Sequence, residues 1–185
     1  PASHFQPGMS IAVFENGELK ESWGSYVNPQ THFDFMNTRI HGITQEIVKN
    51  SPTLEQLKYR LEKFFTNKTV VTYTSFDQSA LRRNNLTFDC EWLDASLVAR
   101  RTWEKIAFSG YGLSNVCIMN KISMDKHHDA VSDAIAAGRV LISAMSHHNI
   151  DILGAKNLIN KSIGSLFSKG KLSDLPSPKD MIIDG

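Results

Sequence analysis

Cysteine is scarce in this 185-residue chain. Cys90 and Cys117 stand apart, each in apolar surroundings. That pattern excludes a disulfide framework and a cysteine-built zinc site, and it reads as buried free thiols in a reducing compartment. Long apolar runs are missing as well. None approaches the roughly 20 residues that span a bilayer, and the opening residues carry no secretory pattern. The cytoplasm is therefore the expected location. Neither sign of charge dominates: Lys+Arg 20 against Asp+Glu 19 gives a formal net charge of +1, so bulk charge does not point to nucleic acid. Acids are absent from Pro1 to Gly8, and no internal repeat is visible.

What is present is ordinary for a soluble globular protein: 41% hydrophobic and 21% charged residues. The length suffices for one domain with a sizeable core, or one domain plus an appendage. An anionic partner would need local patches. Arg82-Arg83, Arg100-Arg101 with Lys105, and Lys169 with Lys171 are the candidates, each also the pattern of a solvated helix face.

Met9 to Phe14 is an apolar, β-rich run that leads into Asn16-Gly17, a two-residue hairpin signal, with Leu19 to Val27 as the returning strand. Asn28 to Gly42 is irregular. Thr44 can cap a short helix through Val48. Thr53-x-x-Gln56 is a capping box, and Leu54, Leu57, Leu61, Phe64 and Phe65 recur at helical spacing and face a core. Thr69 to Tyr73 is a β-branched run, read as a buried strand, followed by a helix from about Asp77 to Arg83. Trp92-Leu93 ends a short strand before a helix through Trp103. Gly110-Tyr111-Gly112 is a turn, and Leu113 to Met119 a short helix. The strongest late helix runs from about Asp129 to Ser146. Gly138 inside it lowers helix propensity by roughly 1 kcal/mol relative to Ala, which argues for a packing reason. Asn149 to Phe167 reads as a further helix weakened by Gly154 and Gly164, and Ser168 to Gly185 as a linker or tail. A hairpin followed by alternating helices and strands indicates an α/β sheet with an antiparallel edge.

Three polar residues stand at junctions of these elements. His128 and Asp133 flank the entrance of the alanine-rich helix. An imidazole and a carboxylate so spaced can face one centre, the carboxylate holding a divalent ion and the imidazole taking a proton from water. Asp77, in Thr74-Ser75-Phe76-Asp77, sits where a strand gives way to a helix. Taken alone, such residues are equally the pattern of a solvated cap and a surface acid.

Together the segments resemble one family. Ile11-Ala12-Val13-Phe14, Ile40-His41-Gly42-Ile43-Thr44, Thr74-Ser75-Phe76-Asp77, Trp92-Leu93-Asp94, Gly110 to Asn115 and His128 to Asp133 follow one another over roughly residues 8 to 146. In this order they look like the DEDDh 3′→5′ exonucleases, in particular bacterial members related to the DNA polymerase III epsilon subunit. The resemblance implies an α/β fold of the ribonuclease-H-like kind, a mixed sheet flanked by helices. It places an exonuclease-like domain at 1–150 and a C-terminal helix and tail at 151–185. It implies an enzyme with His128 as general base, Asp133 as ligand of a first metal ion and Asp77 as an acid that positions a second. Mg²⁺ or Mn²⁺, two ions in the complete family site, would support phosphodiester hydrolysis. The implied partners are single-stranded 3′ ends of DNA or RNA and no membrane, with monomer and homodimer both left open. Phe76 is expected in the core rather than as a base-stacking platform. Tyr73, where relatives commonly carry His or Asn, is expected as a strand residue against the core.

One family motif has no counterpart. The Asp-x-Glu pair belongs on a first, central strand ahead of the hairpin, and Pro1 to Gly8 supplies no acid. Glu15 and Glu18 lie in and beside the hairpin turn, at the wrong end of a strand. The chain is thus expected to lack that strand and, without it, to be inactive. Three accounts compete: a short N-terminal piece is missing, the chain is a degenerate relative that binds nucleic acid or protein, or the tail substitutes through Met181-Ile182-Ile183-Asp184.

Overall fold

Asn16 (φ +53°) and Gly17 (φ +82°) supply the left-handed pair that a type I′ hairpin requires. In the computed structural model, which describes residues 8–30, 43–104, 109–124 and 130–160, this turn joins β1 (Gly8–Glu15) to β2 (Glu18–Tyr26). The strands are antiparallel, with Glu15 opposite Glu18 and a register shift between Val13 and Phe14. Thr44 caps the single turn α1 (Gln45–Val48). The capping box then opens α2 (Leu54–Phe65): Gln56 N–H donates to Thr53 Oγ1 at 3.2 Å and Thr53 N–H to Gln56 Oε1 at 2.8 Å.

β3 (Thr69–Thr72) and β4 (Glu91–Asp94) pair in parallel, Thr72 opposite Asp94. Each runs directly towards a helix, α3 (Phe76–Arg83) after β3 and α4 (Ala95–Thr102) after β4. The chain continues through α5 (Leu113–Met119), α6 (Ala130–His148) and α7 (Ile152–Asn160). The helix expected from Asn149 starts at Ile152, after Asn149 turns with φ +51°; its expected end at Phe167 and the tail lie outside the described residues.

Strand alternation explains the layering. Met9 and Ile11 of β1, Trp23 of β2, Val70 of β3 and Trp92 of β4 join Leu57, Leu61 and Phe65 of α2 in one apolar cluster. The next residues along the parallel pair, Val71 and Leu93, turn the other way, towards Leu141 and Ala144 of α6. α6 also contacts β1 and β2, so both strand pairs lie between α2 and α6. Gly138 has its packing reason here: a Cβ on it would stand 2.3 Å from the Phe14 ring. Gly24 likewise leaves room for Val131. These two contacts seat the first half of α6 on the hairpin.

The expected mixed sheet is present as two pieces, one antiparallel and one parallel. Among the described residues no strand pairs with the free edge of β1 or of β3, and the two do not pair with each other. The run expected as a buried strand is half-buried at Thr69, Val70 and Val71 and buried at Thr72. At the far end, Lys156 of α7 donates to Thr69 Oγ1 at 3.0 Å and to the Glu91 carboxylate, tying α7 to the starts of both parallel strands.

Candidate active site

The carboxyl ends of parallel strands are where α/β sheets usually bind ligands, because following helices present their N-termini there. Asp77 stands in the first turn of α3, just beyond β3. Its side chain reaches solvent, yet surrounding protein atoms hold its carboxyl above the ordinary carboxylate range, partly offset by a backbone hydrogen bond.

Asp133, half-buried, occupies the first turn of α6. Its charge reaches the buried Cys117 of α5, whose thiol is pushed up to about 11, by burial first and then by Asp133. Cys117 in turn acts on Tyr73, at the end of β3, whose phenol is raised mainly by burial. Asp77 follows the end of β3 directly, and Asp133 opens the helix that packs on β3. His128 lies outside the described residues.

The turn between β3 and α3 is unusual. Thr74 has φ +85°, a left-handed conformation rare for a β-branched residue and costing of order 1–3 kcal/mol. Its N–H donates to Asp94 Oδ1 at 3.1 Å. The same oxygen accepts Ser96 N–H at 2.8 Å and Ser96 Oγ–H at 2.6 Å, the N-cap of α4. On the other flank, Tyr73 Oη donates to the Tyr111 carbonyl at 2.8 Å. Tyr111 Oη reaches the Trp103 carbonyl at 2.9 Å, and the Arg100 guanidinium lies 4.8 Å over the Tyr111 ring. Tyr73 is half-buried against the core, as expected, but the strand ends at Thr72; Tyr73 lies in the turn that follows and anchors the Gly110–Gly112 segment. The link from Asp94 to Thr74 had no sequence signal beyond an acid before a helix.

Two expectations are corrected. Phe76 is 38% exposed, not core; α3 is short and turns its Ala80–Leu81 side inward, leaving Phe76 at the surface with Arg83 5.9 Å over its ring. Cys90 is half-buried, not buried like Cys117, because it lies in the loop before β4. Both thiols are free. Of the basic candidates, Arg82, Arg83 and Arg100 are exposed and Arg101 is half-buried.

Asp77 and Asp133 offer hard oxygen atoms of the type Mg²⁺ and Mn²⁺ prefer. Two carboxylates do not satisfy a pair of dications, and among the described residues no three His, Cys, Asp or Glu side chains gather to hold a metal ion. The described donor set therefore does not fit a complete two-ion centre. No described helix is long and apolar enough to cross a membrane.

The chain is similar to DNA polymerase III of the PolC type from Clostridium perfringens, 25% identical over 164 residues that make up 82% of this chain and 11% of that protein. It is similar to the 3′-5′ exonuclease DinG of Bacillus subtilis, 23% identical over 143 residues, 74% of this chain and 15% of the relative. The chain thus spans less than a fifth of either relative. Among solved structures, exonuclease X in complex with 5′ overhanging duplex DNA aligns with a TM-score of 0.68 at 18% identity, over 83% of this chain and 90% of that one. That likeness gives the ribonuclease-H-like fold. The family model described as an exonuclease, RNase T, matches residues 10–141, and the chain accordingly belongs to this exonuclease family.

Proposed function

We propose that this chain is the core of a DEDDh-type 3′→5′ exonuclease acting on single-stranded nucleic-acid ends with the help of divalent ions. Asp77 and Asp133 serve as metal-ligating acids, and His128 takes the proton from the attacking water. The observation that carries the reading is the position of Asp77. It is an exposed carboxylate in the first turn of α3, just beyond the carboxyl end of β3, within the span of the exonuclease family match. The remaining oxygen ligands must come from outside the described residues. The substrate is DNA or RNA: one aligned exonuclease structure is a complex with a 5′ overhanging duplex DNA and another concerns recognition of a histone mRNA stem-loop, and the same assay decides between them. Cytoplasmic location, a boundary near residue 150 between the exonuclease domain and a C-terminal helix with its tail, and either a monomer or a homodimer belong to this proposal.

A second reading is a binding module of the same fold: among the described residues Asp77 and Asp133 are fewer oxygen donors than two metal ions need. The experiment compares the chain alone with a version carrying an apolar strand and Asp-x-Glu ahead of Pro1. Both are given 5′-labelled single-stranded DNA and RNA with Mg²⁺ or Mn²⁺. Stepwise release of nucleotides from the 3′ end by the extended version is expected, with the chain alone far slower. His128→Ala should lower the rate by at least about 100-fold, the scale of a lost acid–base group, and Asp133→Ala, which removes a metal-ligating acid, should lower it as well. An extended chain that folds and binds Mn²⁺ yet releases no nucleotide from either polymer leaves the binding module.

A further inference from the structure

We infer that Asp94 is a positioning residue for Asp77, acting by fixing the left-handed turn at Thr74. The inference rests on the reading of Asp77 as a site acid and names what aims it.

Asp94 Oδ1 accepts three hydrogen bonds, from Ser96 N–H, Ser96 Oγ–H and Thr74 N–H. The first two belong to an ordinary N-cap. The third does not. It crosses from the end of β4 to the end of β3, between segments 20 residues apart in sequence. Hydrogen bonds to an ionised acceptor are stronger than neutral ones, and this one holds the residue whose backbone is most in need of holding, a threonine at φ +85°.

The path of the chain beyond Thr74 depends on this turn. α3 begins two residues later, and its N-cap residue, Ser75, makes no side-chain capping bond. Phe76 N–H turns back to Thr74 Oγ1 at 3.4 Å. The entrance of α3, with Asp77 in its first turn, is therefore set by the preceding turn rather than by a cap of its own. Asp94 acts on the direction in which that turn releases the chain. Removing it also uncaps α4, so a purely structural role must be separated from a positioning one.

Substitutions at the two ends of the bond make the separation. Asp94→Asn keeps an acceptor oxygen; Asp94→Ala removes it. Thr74→Gly makes the left-handed turn free of strain, because glycine adopts positive φ without a Cβ clash; it also removes the Oγ1 that accepts Phe76 N–H, so Thr74→Gly alone is the control and should keep the couplings of residues 76–78. The full chain is labelled with ¹⁵N, and amide exchange at residue 74 is read beside the residual dipolar couplings of residues 76–78. In Asp94→Ala, exchange at Thr74 should quicken at least about 100-fold and the couplings of 76–78 should change. Asp94→Asn should stay within about tenfold in exchange and keep the couplings. In Asp94→Ala/Thr74→Gly, residue 74 should still exchange fast while the couplings at 76–78 return to their original values. An uncapped α4 alone predicts no such return. On the Asp-x-Glu-extended version, the same set is assayed for release of nucleotides in Mn²⁺. Asp94→Ala should lower kcat at least about tenfold with KM within about twofold, and Thr74→Gly should recover most of it. Unchanged couplings at 76–78 in Asp94→Ala, or couplings that Thr74→Gly does not restore, overturn the inference. If the couplings behave as expected but the extended version releases nothing, the positioning stands and the exonuclease reading falls.

Discussion

The hairpin β1–β2 and the parallel pair β3–β4 share the same two helical walls, yet they are specified differently. The hairpin strands have eight and nine residues and are joined by a two-residue turn that sets their register locally. The parallel strands have four residues each, and a helix separates them. Their register depends on distant ties: Lys156 at the starts and Asp94 with Thr74 at the ends. The long, locally encoded pair is a platform for α6. The short, remotely encoded pair carries the candidate chemistry, because both of its strands end on the same side and each runs into a helix.

The strongest challenge to this contrast is a substitution that ignores it. Leu61 is 0% exposed in the cluster shared by all four strands, so Leu61→Ala should cost about 2–5 kcal/mol. Hydrogen exchange should show both pairs losing protection together, and loss in one pair alone would mean that α2 does not join them. Gly138→Ala tests the platform. The helix-propensity gain of about 1 kcal/mol opposes a clash with Phe14 at 2.3 Å. Overpacking of that kind costs about 1–3 kcal/mol, so a net loss is expected by urea titration, confined first to β1 and β2 and eased by Phe14→Leu. Gly17→Ala should cost about 1 kcal/mol, since an L side chain at φ +82° is strained; exchange in β3 and β4 should hardly change.

The smallest effect belongs to the parallel pair. Burial raises the Asp77 carboxyl in the folded state, so folding favours its protonated form. Its contribution is fully present below the unfolded carboxylate range and is lost as pH rises through the folded value. Asp77→Asn should therefore stabilise the fold at pH 7, by no more than about 0.5 kcal/mol for so accessible a group, with the gain gone near pH 3. Paired urea titrations at the two pH values read this directly, and a gain that grew on acidification would reverse the assigned environment.

The same division governs what the sequence discloses. Asn16-Gly17, the Thr53–Gln56 capping box and the Gly110-Tyr111-Gly112 turn are legible because the partners of each are within a few residues. Gly138 signals a close contact, but not that Phe14 makes it, since more than 100 residues intervene. Asp77 and Asp133 are recognisable by family order, whereas the bond from Asp94 to Thr74 joins two strand ends and leaves no local pattern. Phe76 misleads for a related reason: an aromatic residue in an apolar stretch suggests burial, and only the shortness of α3 leaves it at the surface.

The difference between the two thiols also bears on chemical labelling. Cys117 is buried and its thiol is pushed up to about 11, whereas Cys90 is half-buried in the loop before β4. The thiolate is the reacting form of cysteine, so a thiol reagent should modify Cys90 first. Cys117 should react only as α5 and α6 part, and its labelling rate becomes a clock for the opening of that packing.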